Sequence, residues 1–183
     1  MPVEIEFRAR LTAAEREVLE GRLRVEALDL GQDDKEIVFY VLPDKLLKVV
    51  RNLTAQTAMV VVKTSRIGEG AAFPEIELPI ADADIPAAVA VFDALGYAQL
   101  RHTAVTERHN YRFDGVDLAV KWSRDWGHHV ELEIVLPDTA GPEDQLEAER
   151  QIGAVADHLG VTVMTEEELR QFTRRFEAAA THP

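Results

Sequence analysis

From Val3 to Arg10 apolar and polar residues alternate one for one. In an extended strand that pattern puts Ile5, Phe7 and Ala9 on one face and Glu4, Glu6, Arg8 and Arg10 on the other. The period then lengthens. Thr12 with Glu15 is a capping-box signature, and Ala14, Val18, Leu19 and Leu23 recur at helical spacing, which predicts a helix running to about Leu28. Three segments rich in β-branched residues follow, 34–42, 45–51 and 57–64, separated by short turn-like stretches, and they read as an antiparallel meander. Another strand is predicted over 73–80, where Pro74 and Pro79 place it at an edge or confine it to the residues between them.

A short second helix has Asp84 as its cap, Pro86 in its first turn, Ala88, Val91, Phe92 and Leu95 as its apolar face, and Gly96 as its stop. Strands are then expected over about 102–113, 116–122 and 129–136. Asp114-Gly115 supplies a hairpin turn between the first two, and Ser-Arg-Asp-Trp-Gly links the last two. Beyond Pro142 two helices close the chain. One turns Ala148, Ile152, Val155 and Leu159 inward and stops at Gly160; the other is capped by Thr165 with Glu168 and packs Leu169, Phe172 and Phe176. The sum is an α+β chain of about eight mostly antiparallel strands, which could close as a barrel and so leave no open edges. With no linker in view, residues 1–183 read as one domain built of two similar halves.

At 183 residues the chain is long enough to bury a sizeable core. It has no cysteine, which excludes a disulfide scaffold, a thiolate metal site and a cysteine nucleophile, and which fits a reducing compartment. No apolar run approaches the roughly 18 residues of a spanning helix, and no basic-then-apolar segment opens the chain, so a cytoplasmic protein without a membrane partner is expected. The formal net charge of -13 repels a phosphate backbone and argues against nucleic acid as a partner.

The charged faces hold a repeat. Glu, apolar, Glu occurs in a predicted strand three times: Glu4-Ile5-Glu6, Glu75-Ile76-Glu77 and Glu131-Leu132-Glu133. On any sheet with one wet face such a triplet needs no function. If the three faces line one cavity, however, six carboxylates converge, and like charges so close raise one another's pKa unless cations compensate. Hard oxygen ligands suit Mg²⁺ or Mn²⁺, with phosphate oxygens or water completing the shell. Arg8, Arg10, Lys48, Lys63, Arg108, Arg112 and Lys121 are candidates to grip what the metal does not.

"EIEFR" at the start resembles the Glu-x-Glu-x-Lys signature of the CYTH superfamily, the triphosphate tunnel metalloenzymes. That group includes class IV adenylyl cyclases, thiamine triphosphatases and inorganic triphosphatases. "MVVVK" is similar to the family strand ending in a phosphate-binding lysine, here Lys63. "PEIEL" resembles the central acidic strand, "ALGY" the Leu-Gly-Phe after its helix, "ERHNYRF" the Arg-x-x-Tyr strand with Arg108 as the arginine, and "GHHVELEI" the late Gly-x-x-x-Glu-x-Glu strand. "LGVTVMTEEEL" resembles the closing segment. The resemblance implies a closed eight-stranded antiparallel β-barrel with flanking helices, and a charged tunnel holding a triphosphate lengthwise. It further implies acidic ligands for one or two divalent ions and Lys and Arg side chains along the phosphates; the acidic candidates here are Glu4, Glu6, Glu75, Glu77, Glu131 and Glu133, and the candidates to bind substrate are Arg8, Arg10, Lys48, Lys63, Arg108 and Lys121. The partner is then a triphosphate-bearing small molecule, attacked by water in hydrolysis or by a ribose hydroxyl in cyclisation.

Four positions depart from the family pattern. Arg8 stands in place of lysine, keeping the charge in a planar fork. Where the family carries Arg-x-Arg this chain reads Lys48-Val49-Val50-Arg51, so Arg51 falls on the opposite face unless a bulge intervenes. Thr106 replaces a basic residue two before Arg108. Lys121 occupies the place of a metal-binding aspartate, and an ammonium has no lone pair for a metal; Asp117 and Asp125 are nearby substitutes. Two expectations therefore stand: a divalent-metal-dependent triphosphate hydrolase (or a class IV-type cyclase), and a tunnel that binds phosphate compounds without efficient chemistry, with Lys121 paired to Glu131 or Glu133. Other residues read as structural. His128 and His129 are expected in a turn or on the surface, Trp122 and Trp126 in packing or a hairpin lid, Glu166 to Glu168 at a helix N-terminus, and Asp33-Asp34 in a turn.

Overall fold

The computed structural model describes residues 2–42, 44–64 and 71–180. Eight antiparallel strands form a closed ring: β1 (Val3–Arg10), β6 (Ala72–Ile80), β5 (Thr57–Lys63), β4 (Leu46–Asn52), β3 (Lys35–Val41), β7 (Arg101–Phe113), β8 (Val116–Ser123) and β9 (Gly127–Leu136), which returns to β1. The β7–β8 pairing, with Arg108 opposite Lys121, makes the closure. Four helices flank the barrel: α1 (Ala13–Glu26), α2 (Ile85–Phe92), α3 (Pro142–Leu159) and α4 (Glu166–Ala180). Phe176, expected to pack beside Phe172, lies outside the residues whose side chains are described. Among the described residues no helix is long and apolar enough to cross a membrane.

Period-two alternation sorts the residues into two environments. The outward faces of β1, β8 and β9 carry Ile5, Ala9, Val116, Leu118, Val120, Val130 and Leu132. These pack under Leu19 and Leu23 of α1 and Ala148, Ile152 and Val155 of α3 in one continuous core. A second, smaller core covers the other side, where Tyr40, Leu47 and Val49 meet Ile85, Ala88, Val89 and Phe92 around α2. Truncating a fully buried member such as Leu23 or Ile152 to alanine costs about 2–5 kcal/mol. The inward faces carry the charges.

Several sequence expectations are corrected. The first helix stops at Glu26, where Ala27 turns extended, and Leu28–Gln32 becomes a ninth strand, β2, which lengthens the sheet beside β7 opposite His109 to Arg112. Val18 is 66% exposed, so the helix's buried stripe narrows to Leu19 and Leu23. Asp84 makes no side-chain cap on α2, and Val91 and Leu95 face solvent, the inward positions being taken by Ile85 and Val89. Strand β6 is an interior strand containing both prolines. It pairs with β1 only over residues 72–74 and with β5 over 75–80, so it changes partners where Pro74 sits.

Candidate functional site

Inside the barrel lies a cavity of about 290 Å³. All three acidic triplets turn into it, and Glu4, Glu6, Glu75, Glu77, Glu131 and Glu133 line its wall. Arg8, Lys48, Lys63, Arg108 and Lys121 line it as well. Arg10 shares their face of β1 but sits at the barrel's end, exposed, with its guanidinium 4.8 Å from the centre of the Phe172 ring of α4. Arg112 lies beyond the cavity and makes a forked pair with Asp117, at 2.6 and 2.9 Å. The sequence reading passed over Lys35 and Lys45 and took Trp126 and His129 as structural, yet all four line the cavity. Lys35 could have been found: it lies in the strand expected over 34–42 and alternates with Ile37 and Phe39.

The charges in the cavity fall into three groups. In the first, Glu131 is gripped from two sides. Arg8 Nε donates to Glu131 Oε1 at 3.1 Å and the Lys121 ammonium donates to Oε2. Burial alone would raise the Glu131 carboxyl, but Lys121 and Arg8 hold it well below the usual range. Burial pulls the Lys121 ammonium down to about 8, against the attraction of Glu131. In the second group, Lys48 reaches Glu75 Oε1 at 3.5 Å and Lys63 reaches Oε2 at 3.5 Å. Burial acts to raise Glu75, and the two ammoniums outweigh it.

The third group is short of positive charge. Glu4, Glu6 and Glu133 each bring a carboxylate oxygen to one place, all within 4.8 Å of one another. Lys63 donates to Glu4 Oε2 at 2.7 Å and Glu6 Oε2 at 3.2 Å, and Arg8 Nη2 lies 2.5 Å from Glu6 Oε1. Among the described residues no ion pair reaches Glu133, and the more distant Arg108 compensates it only in part. The burial of Glu133, followed by the repulsion of Glu4, Glu6 and Glu131, pushes its carboxyl up to about 7, and burial raises Glu4 too. Such a trio is stable only with a bound proton or a bound cation. Three hard oxygen donors around one point fit Mg²⁺ or Mn²⁺ in donor type, with room for phosphate or water oxygens in the remaining positions. Arg8 Nη1 is buried without a hydrogen-bond partner among the described residues, a donor available to an anion in the cavity.

A supporting layer holds the basic side chains. Asp33 accepts from Asn110 at 3.0 Å and from Asn52, and it lies 3.2 Å from Lys35 and 3.4 Å from Arg108. Arg108 Nε also donates to Asn110 Oδ1 at 2.6 Å, and its backbone N–H donates to Asp34 at 2.9 Å. Asp33 and Asp34, expected to do no more than make a turn, therefore fix the position of two lining cations. His129, expected in a turn or on the surface, is buried, and burial pushes its imidazole down to about 4, so it is neutral near pH 7.

The model of the CYTH domain matches residues 3–162. The chain belongs to the CYTH family. No curated protein matches it. Among solved structures, it is similar to a conserved hypothetical protein of Pyrococcus furiosus, with 24% identity, coverage of 90% of this chain and 99% of the other, and a TM-score of 0.69. A protein of Pyrococcus horikoshii is 18% identical over 92% of this chain and 98% of its own, with a TM-score of 0.72. A Hippeastrum protein named for adenylyl cyclase, with a dominant triphosphatase activity, is 16% identical over 89% and 90%, with a TM-score of 0.60. At these identities the likeness is one of fold.

Within the CYTH barrel each departure from the family pattern has a location. Arg51 points outward and makes a forked pair with Asp82 at 2.7 and 2.9 Å, so of the two basic residues on this strand Lys48 lines the cavity and Arg51 does not. Thr106 lines the cavity without charge. The two aspartates near Lys121 are engaged elsewhere, Asp117 with Arg112 and Asp125 with His102 at 3.2 Å.

Proposed function

We propose that this CYTH barrel is a divalent-metal-dependent hydrolase of a triphosphate-containing substrate, inorganic or organic, using Mg²⁺ or Mn²⁺. The observation that carries the reading is the undercompensated trio Glu4, Glu6 and Glu133 in the same cavity as a set of buried cations. These three carboxylates would hold the ion. When bound, it supplies Lewis-acid polarisation of a phosphoryl oxygen and neutralises developing charge. Arg8 offers its free Nη1 to a phosphate oxygen, while Arg108 and Lys35, held by Asp33, and Lys48 fix the phosphate chain along the wall. Catalysis of this kind needs position and charge more than covalent chemistry.

One observation favours a second reading, a tunnel that binds triphosphates with little turnover. Lys121 and Arg8 saturate Glu131, so that carboxylate is withheld from any ion. Incubation with tripolyphosphate, ATP and thiamine triphosphate in Mg²⁺ or Mn²⁺ separates the two. Metal-dependent phosphate release supports the hydrolase; micromolar binding without release supports the binding protein; neither binding nor release removes both. Under the second reading Lys121→Asp frees Glu131, adds a carboxylate and creates turnover in an inert protein.

A further inference from the structure

Across the ring from the charged wall of β1 and β9, a row of four apolar side chains crosses adjacent strands at the same level, between Lys35 and Lys48, which stand two residues from Ile37 and Val50 on the same strands and also line the cavity. Ala104 of β7 pairs with Ile37 of β3, Ile37 with Val50 of β4, and Val50 with Met59 of β5. All four line the cavity. At about 4.8 Å between strands, the row extends roughly 14 Å. A tunnel shaped only for phosphate would carry charge or hydrogen-bond donors here, because a phosphate chain against hydrocarbon loses its hydration without replacement. Beside this row Phe39 continues the apolar surface on β3.

We infer that the ligand of this tunnel is a phosphate ester whose organic part is a hydrocarbon, its phosphates on the charged wall and its apolar group along Ala104, Ile37, Val50 and Met59. This rests on the triphosphate reading and names the substrate class of the same site. Charge complementarity orients the molecule, since Arg8 on β1 and the carboxylate trio on β1 and β9, which would hold an ion, lie across the ring from the apolar row. A nucleoside fits that row poorly. Strands β3, β4 and β5 are each paired on both sides there, so their backbone groups are committed to the sheet and cannot read a base or a ribose. The neutral hydrogen-bonding side chains of the lining, Thr106, Ser123 and Thr173, are not part of the row, and Ser123 Oγ already accepts from the Trp126 N–H at 3.2 Å. Burying a ribose and base against four apolar side chains would leave their polar atoms unpaired.

Calorimetric titration of the full chain in Mn²⁺ with non-hydrolysable, methylene-bridged triphosphates tests this, using the bare triphosphate, its methyl, butyl and octyl esters, and the ATP analogue. Affinity is expected to rise roughly fourfold per methylene from methyl to butyl, about 60-fold in all if each is fully buried. The butyl ester should also bind tighter than the ATP analogue. Met59→Ser, checked for native fold by circular dichroism, should flatten the chain-length slope and leave the affinity for bare triphosphate unchanged. Equal affinity for methyl and butyl esters, or tighter binding of the ATP analogue, overturns the inference while leaving the triphosphate reading intact. If even bare triphosphate fails to bind, that reading falls and takes the inference with it.

Discussion

Glu131 and Glu133 are two residues apart on one strand, point into the same cavity, and end in opposite states. Glu131 sits between Arg8 and Lys121 and is held ionised far below its usual pKa. Glu133 meets two other carboxylates and is pushed up to about 7. The same Glu-apolar-Glu motif thus yields one carboxylate that the protein neutralises by itself and one that it leaves for something else to neutralise. A structural charge carries its counter-ion in the chain; a binding charge is left incomplete.

The largest effect that can break this contrast is at Arg8, which serves both regions. Arg8→Met leaves Glu6 and Glu131 short of a buried partner, and denaturant unfolding should show a loss of about 3–5 kcal/mol. A pH effect comes next. Glu133 titrates ordinarily at 4.5 and here at about 7. Below 4.5 the folded and unfolded chains both keep the proton; as pH rises toward 7 the unfolded chain releases it first. The metal-free protein therefore loses up to about 3 kcal/mol from this group across that window. Glu131 and His129 act in the reverse sense, losing stability as pH falls, so the quantity to measure is the metal-free wild-type profile minus that of metal-free Glu133→Gln. The smallest effect is outside the barrel. Arg51→Ala breaks an exposed pair with Asp82 and should change stability by no more than about 1 kcal/mol, with ligand affinity unaltered.

Much of this architecture was legible because strand alternation has an unambiguous period. Residues 3–10 alone sorted the side chains of β1 onto a core face and a charged face, while the place of the charged face inside a barrel rested on the family resemblance; the outward position of Arg51 followed from the same count. Partnership was legible only in part: Lys121 was expected beside Glu131 or Glu133, but the choice between them was not legible. Nothing in the spacing of Glu131 and Glu133 says that Lys121 and Arg8 reach the first and not the second, because that depends on barrel closure and on side chains from three strands. Local signals also failed where tertiary pairing outweighed them. Leu28–Gln32 left the helical pattern because β7 offered an open ladder, and β6 absorbed two prolines because its partners change at Pro74. Asp33 looked like turn chemistry, and its part in fixing Arg108 appears only when β3 and β7 lie side by side.

The account stands on the trio of Glu4, Glu6 and Glu133 as a cation site, and Mn²⁺ binding followed by electron paramagnetic resonance tests it most directly. The wild-type chain should bind Mn²⁺ inside the barrel, and Glu133→Gln should weaken that binding on the order of 100-fold while Glu77→Gln, at an exposed position of the same cavity, leaves it near the wild-type value. No Mn²⁺ binding by the wild type, or equal binding by wild type and Glu133→Gln, would contradict it.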